Sequence, residues 1–211
     1  MRILFFGDSI VQGFWGVEGG WVERIRKHYD SIAVQNLEGN MQPEIFNLGV
    51  DGDTTYGLLQ RIENETKIRK WPKDPLCVVI SIGSNDDSSK YNKQQILPNE
   101  FRNNLEKIIT KLRPITDNIV LVGNTACDES KTTPVFWGDY YYTNARLQQS
   151  EQAMEAIASK FNIPYVPIFE RFKDKLDVGE NLLVDGVHPN DAGHQFIAEL
   201  VLPTLNALLD K

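Results

Sequence analysis

Arg2-Ile3-Leu4-Phe5-Phe6-Gly7-Asp8-Ser9 sets the reading of the whole chain. The run Ile3–Phe6 is short, apolar and bounded by a glycine, which is how a buried strand reads. Gly7 ends the run, and Asp8-Ser9 then starts a turn into a helix. Ser9 is thereby expected at the carboxyl end of a strand, the rim where open parallel α/β sheets bind ligands. Similar apolar runs follow at 45–50, 76–82, 119–123 and 164–168. Amphipathic stretches separate them near 20–33, 54–69, 94–113 and 144–161, and a last one covers 191–209. Within the third, Leu105, Ile108, Ile109 and Leu112 fall at i, i+3, i+4 and i+7, one apolar helix face. Strands alternating with helices predict an α/β fold with a mostly parallel sheet covered on both faces. No linker, repeat or low-complexity tract divides the chain, so residues 1–211 are expected to form one domain.

Composition narrows the function classes. The 211 residues are 41% hydrophobic and 24% charged, ordinary values for a globular protein. The formal net charge of −7 disfavours a nucleic-acid backbone or an anionic membrane as partner. No apolar run is long enough to span a bilayer. The first strand begins at the first residues, leaving no room for a signal peptide, and the default expectation is a cytoplasmic protein. The two cysteines read as unpaired: Cys77 lies within an apolar run and Cys127 just after another. Three scattered histidines and no cysteine cluster offer no metal-binding spacing. Neither a metal nor a cofactor is therefore expected.

Near the other end of the chain stands Asp185-Gly186-Val187-His188. A serine is a poor nucleophile unless a base lies within hydrogen-bond reach and a third group orients that base. His188 and Asp185 supply both from one short loop. Ser9 alone reads equally as a helix cap; the pair at 185 and 188 is what points to catalysis. Asn47-Leu48-Gly49 ends the second strand run, and Gly49 offers either a plain turn or a backbone N–H brought close to a ligand. Asn85, in Gly83-Ser84-Asn85-Asp86, has an amide that can donate to a developing oxyanion, or it is an ordinary turn residue. Asp8 is expected to cap the turn. His28 and His194 read as surface or packing residues. Two long connections, 86–93 and 125–143, follow strand ends and should emerge on the Ser9 rim. The second holds Phe136, Trp137, Tyr140, Tyr141 and Tyr142, and long connections in compact domains are usually functional.

The ordered set Gly7-Asp8-Ser9, Gly49, Gly83-Ser84-Asn85-Asp86 and Asp185-Gly186-Val187-His188 resembles the four blocks of the SGNH hydrolases, also called the GDSL esterase/lipase family. The blocks span nearly the whole chain in the right order; Ile10 stands where the first block often has leucine. The resemblance implies a flavodoxin-like three-layer α/β/α sandwich with a five-stranded parallel sheet, in agreement with the strand count. It implies a serine hydrolase of carboxylic esters, with Ser9 as nucleophile, His188 as general base and Asp185 as its orienter. It also implies an oxyanion hole of the Ser9 N–H, the Gly49 N–H and the Asn85 amide. The expected partner is a small-molecule ester, with oligomeric state left open. Thioesterase, lysophospholipase and sugar O-deacetylase chemistry all fit the same site, and Trp137 and Tyr141 are the candidate substrate contacts. The rival from another class is a non-catalytic ligand-binding module on the same sheet, with residues 7–13 holding phosphate at a helix N-terminus.

Overall fold

A computed structural model describes residues 1–38 and 42–209. The elements in chain order are β1 (Arg2–Gly7), α1 (Ser9–Gln12), α2 (Trp21–Gln35), β2 (Glu44–Gly49), α3 (Thr55–Arg69) and β3 (Leu76–Ser81). Next come α4 (Ser84–Asp87), β4 (Ser89–Lys90), β5 (Lys93–Gln94), α5 (Pro98–Leu112) and β6 (Asn118–Val122). The chain continues with α6 (Glu129–Thr132), β7 (Tyr140–Tyr141), α7 (Asn144–Phe161), β8 (Tyr165–Val166), α8 (Phe169–Asp177) and α9 (Asp191–Leu209).

Five parallel strands form the main sheet in the order β2-β1-β3-β6-β8. The first strand lies between β2, which is an edge of the sheet, and β3, which is its centre. That is the doubly wound, flavodoxin-like order, in which the winding direction reverses beside β1. The alternation of β1 feeds two cores at once, because successive side chains of a strand point to opposite faces. Ile3 and Phe5 join Trp21, Ile25, Ile197 and Val201 on the α2/α9 face. Leu4 and Phe6 join Leu58, Ile62, Leu105 and Ile108 on the α3/α5 face. The four residues picked out on α5 by their spacing are all buried, with Phe101 one turn earlier extending the stripe.

Differences from the sequence reading are local. The last strand shortens to Tyr165–Val166, and the helix α8 that follows was not expected. The two long connections do leave strand ends, and they pair with each other. Ser89 lies opposite Tyr141 and Lys90 opposite Tyr140, so β5-β4-β7 make a small antiparallel sheet. Tyr91 and Asn92, both with left-handed backbone, turn β4 into β5, as two-residue hairpins require. Cys77 and Cys127 are free and buried. No helix among the described residues is long and apolar enough to cross a membrane.

Candidate active site

The loop after β1 presents Ser9 as the first residue of α1. Asp8 caps that short helix, accepting from the Ile10 N–H at 2.9 Å, which is the role expected of it. Burial outweighs the Ile10 N–H and pushes the Asp8 carboxyl up to about 6. Ser9 Oγ lies 3.0 Å from His188 Nε2, across 179 residues of sequence. His188 Nδ1 lies 2.7 Å from Asp185 Oδ2. A carboxylate only accepts, so Nδ1 carries the proton and Nε2 keeps its lone pair for the serine hydroxyl. Asp185 Oδ1 accepts from the backbone N–H of Val187 at 2.9 Å and of His188 at 2.8 Å. Burial works to raise the Asp185 carboxyl, but the His188 hydrogen bonds and charge and the Val187 N–H outweigh it. The group is held well below the usual carboxylate range.

Asn85 sits in α4, at the end of β3. Its Nδ2 donates to the Asp53 carbonyl at 3.0 Å and its Oδ1 accepts from the Tyr142 hydroxyl at 3.1 Å. One partner only accepts and the other is the phenol donating, so the amide has one orientation. Its second Nδ2 hydrogen stays available on the cavity side. Two acids of α4 itself are buried. Asp86 accepts from the Thr55 N–H and hydroxyl and so ties α4 to the start of α3. Asp87 meets the Ser150 hydroxyl. Burial raises Asp86 to about 7 and Asp87 to about 8.

Two glycines close the second strand run, and the structure separates their roles. Gly49 still belongs to the β2 ladder, opposite Gly7, and its N–H donates to Asn47 Oδ1 at 3.1 Å. A side chain there would meet the Gln12 backbone nitrogen at 2.2 Å. Gly49 is thus a packing glycine against α1, and the expectation that its N–H faces the site is corrected. Gly52 lines the cavity instead, at φ +71° with open space around its Cβ position. The N–H groups of Ser9 and Gly52 have no partner among the described residues.

A cavity of about 520 Å³ opens over Ser9, His188 and Asn85. This is within the range of small-molecule sites. Phe14 and Trp15 form one wall; Phe136, Trp137, Tyr140 and Tyr142 form another; Asp51 and Gln95 supply polar groups. Trp137 lies 6.3 Å from the His188 ring and Phe14 lies 5.1 Å from it, between ring centroids. Trp137 is therefore where the sequence put it. Tyr141 is not: a strand alternates its faces, so Tyr140 and Tyr142 turn inward and Tyr141 outward. Phe14 and Trp15 were missed, since nothing in the spacing of a glycine-rich turn marks them. His194 is fully buried and absent from the cavity, whereas His28 is only partly covered and packs on Tyr29. No group of three or more metal-ligating side chains occurs among the described residues.

The sequence matches the GDSL-like lipase/acylhydrolase family over residues 5–196. The chain belongs to that family. Solved structures agree on the fold. A lipolytic protein of the G-D-S-L family from Veillonella parvula is 22% identical, with 98% of each chain covered and a TM-score of 0.75. A lipase/acylhydrolase from Enterococcus faecalis is also 22% identical, over 98% of this chain and 95% of that one, with a TM-score of 0.75. An acetyl xylan esterase from Geobacillus stearothermophilus is 21% identical over 96% and 93%, again at 0.75. No curated protein matches the sequence at a significant level. Membership of the GDSL-like family makes the chain a hydrolase of carboxylic esters and sets aside the non-catalytic module.

Proposed function

We propose that this GDSL-like hydrolase cleaves its ester through an acyl-enzyme on Ser9. The observation that carries the reading is the unbroken chain Ser9 Oγ–His188 Nε2–His188 Nδ1–Asp185 Oδ2, with links of 3.0 and 2.7 Å. Ser9 Oγ attacks the ester carbonyl carbon as His188 Nε2 takes the hydroxyl proton. The tetrahedral oxyanion receives hydrogen bonds from the Ser9 N–H, the Gly52 N–H and the Asn85 amide. Collapse expels the alcohol, which leaves with the proton from His188. Water then attacks the acyl-serine with His188 again as base, releasing the carboxylic acid and restoring Ser9. Asp185 keeps the imidazole in the correct tautomer and stabilises the imidazolium.

The aromatic walls suit an acyl or alcohol portion with an apolar face, while Asp51 and Gln95 can bond to hydroxyls on it. Simple esters, lysophospholipids, thioesters and acetylated sugars all place a carbonyl beside Ser9 in the same way. The test is a panel of short and long p-nitrophenyl esters, acyl-CoA, lysophospholipid and acetylated sugars, run with the native protein and Ser9→Ala. Activity on at least one ester, lost in Ser9→Ala with the melting temperature retained, is the expected result. Ester turnover surviving at more than a few per cent in Ser9→Ala would overturn the role of Ser9.

A further inference from the structure

We propose that Trp15 is a positioning residue for the catalytic aspartate, its indole N–H locking the Asp185 oxygen that holds His188. The proposal rests on the triad reading of Ser9, His188 and Asp185. Trp15 Nε1 donates to Asp185 Oδ2 at 3.3 Å, from 170 residues away in sequence. Oδ2 is also the acceptor for His188 Nδ1. With the Val187 and His188 N–H groups on Oδ1, the carboxylate takes four hydrogen bonds, two on each oxygen. Three of those donors come from its own loop. Only Trp15 comes from the loop that follows Ser9, so it ties the orienting acid to the nucleophile's side of the cleft.

The backbone is bent to put it there. Trp15 adopts φ +64°, in the left-handed region that bulky side chains avoid. Such outliers persist only where their surroundings hold them in place. Here the surroundings do. The Phe14 N–H donates to the Ser9 carbonyl at 3.0 Å, and the Gly16 N–H to that of Gly13. The Phe14 carbonyl is met by His194 Nε2 at 3.2 Å, and His194 Nδ1 accepts from the Trp21 N–H at 3.3 Å. A backbone N–H can only donate and a carbonyl only accept, so His194 is the neutral tautomer protonated on Nε2. It clamps both ends of the loop that carries Trp15. Burial holds its imidazole below the usual histidine range, which keeps that form. Within the loop, the Glu18 N–H donates to Asp191 Oδ1 at 2.8 Å, fixing the same segment to α9.

The consequence is geometric. As the serine proton moves onto His188, Asp185 must hold the imidazolium without rotating. Without Trp15, the only partner of Oδ2 is the imidazole that it must itself orient; the indole N–H gives that oxygen a second partner, independent of the moving base. Small misplacements of a base cost large factors in rate.

The test separates the N–H from the ring. Trp15→Phe keeps an aromatic wall without a donor. β-(3-Benzothienyl)alanine incorporated at position 15 keeps the bicyclic shape and has sulfur in place of the N–H. With p-nitrophenyl acetate, whose acyl group is a single methyl and whose aryl group both replacements can still face with an aromatic ring, each is expected to lower kcat about tenfold at nearly constant KM. The downfield proton resonance of His188 Nδ1–H, identified by its loss in His188→Ala, is expected to shift. Should Trp15→Phe fold poorly, the isosteric replacement carries the result. A kcat within twofold of native for the isostere, with an unmoved resonance, overturns the proposal and leaves Trp15 as a cavity wall. That outcome is distinct from failure of the triad reading, which would show as turnover in Ser9→Ala whatever Trp15 does.

Discussion

Truncating Asn85 to alanine probes the proposed oxyanion hole with little collateral change. The side chain makes two hydrogen bonds, to the Asp53 carbonyl and from the Tyr142 hydroxyl, and both lie in partly exposed surroundings. Each contributes about 0.5–1.5 kcal/mol to stability, and water can replace the lost partner in part. The expected loss of stability is therefore below about 2 kcal/mol. The kinetic loss should be larger. Removing one preorganised donor from an oxyanion hole costs about 10²–10³ in kcat, or about 2.7–4 kcal/mol. The donor acts on charge that exists only in the transition state, so KM should hardly move. The assay is steady-state hydrolysis of p-nitrophenyl acetate over a full range of concentration, with melting temperature measured beside it. Asn85→Asp sharpens the test, since it keeps the size but sets an acceptor against the developing negative charge; it should be no more active than Asn85→Ala. A rise in KM at constant kcat would make Asn85 a substrate-binding residue. A folded Asn85→Ala within tenfold of native kcat would refute the oxyanion role.

Three further outcomes follow from the geometry. Gly49→Ala should lower the melting temperature more than Gly52→Ala, because its Cβ would meet the α1 backbone at 2.2 Å, whereas Gly52 has open space and only left-handed strain to bear; the reverse order would contradict the packing role of Gly49. Asp87 holds its proton to about pH 8 in the fold but only to 3.8 as a free carboxyl, so between those values the folded state binds more protons and stability falls as pH rises. Asp87→Asn should flatten the decline in melting temperature from pH 5 to pH 8, and an unchanged slope would show that the buried acid is not its source. Trp137→Ala should change the ratio of kcat/KM between short and long esters by about tenfold, on the order of 1–3 kcal/mol of lost apolar contact; an equal loss on every ester would mean that Trp137 only supports the fold.

The first strand, the sheet and the meeting of Ser9, Asp185 and His188 were legible in the sequence because each has a local signature. The apolar run and glycine at 3–7 announce a strand and its end, and Ser9 and the 185–188 loop carry their chemistry in their side chains. The role of Gly49 was misread for a physical reason. Two glycines lie within four residues of a strand end, and composition does not say how far the ladder runs; pairing with Gly7 keeps Gly49 inside it and leaves Gly52 to face the cavity. Tyr141 turns away because strand side chains alternate, and which of its neighbours face inward depends on β7 pairing with β4, a contact between two distant loops. The burial of His194 did have a signal: it shares the α9 face of Ile197, Ala198, Val201 and Leu205 at i, i+3, i+4, i+7 and i+11. Helix α8 was hidden because its first residue abuts the apolar run read as the last strand. Trp15 had no signal, since its place depends on a left-handed turn and on the tertiary clamp of His194.

A covalent bond at one atom, Ser9 Oγ, decides the proposed chemistry. Intact-protein mass spectrometry after reaction with a fluorophosphonate, followed by peptide mapping, measures it directly. The prediction is a single adduct on Ser9 in the native protein, none in Ser9→Ala, and slow formation in His188→Ala, where the serine remains but its base is gone. An adduct mapped to any other residue, or one formed equally fast without His188, would contradict the assignment of Ser9 as a histidine-activated nucleophile.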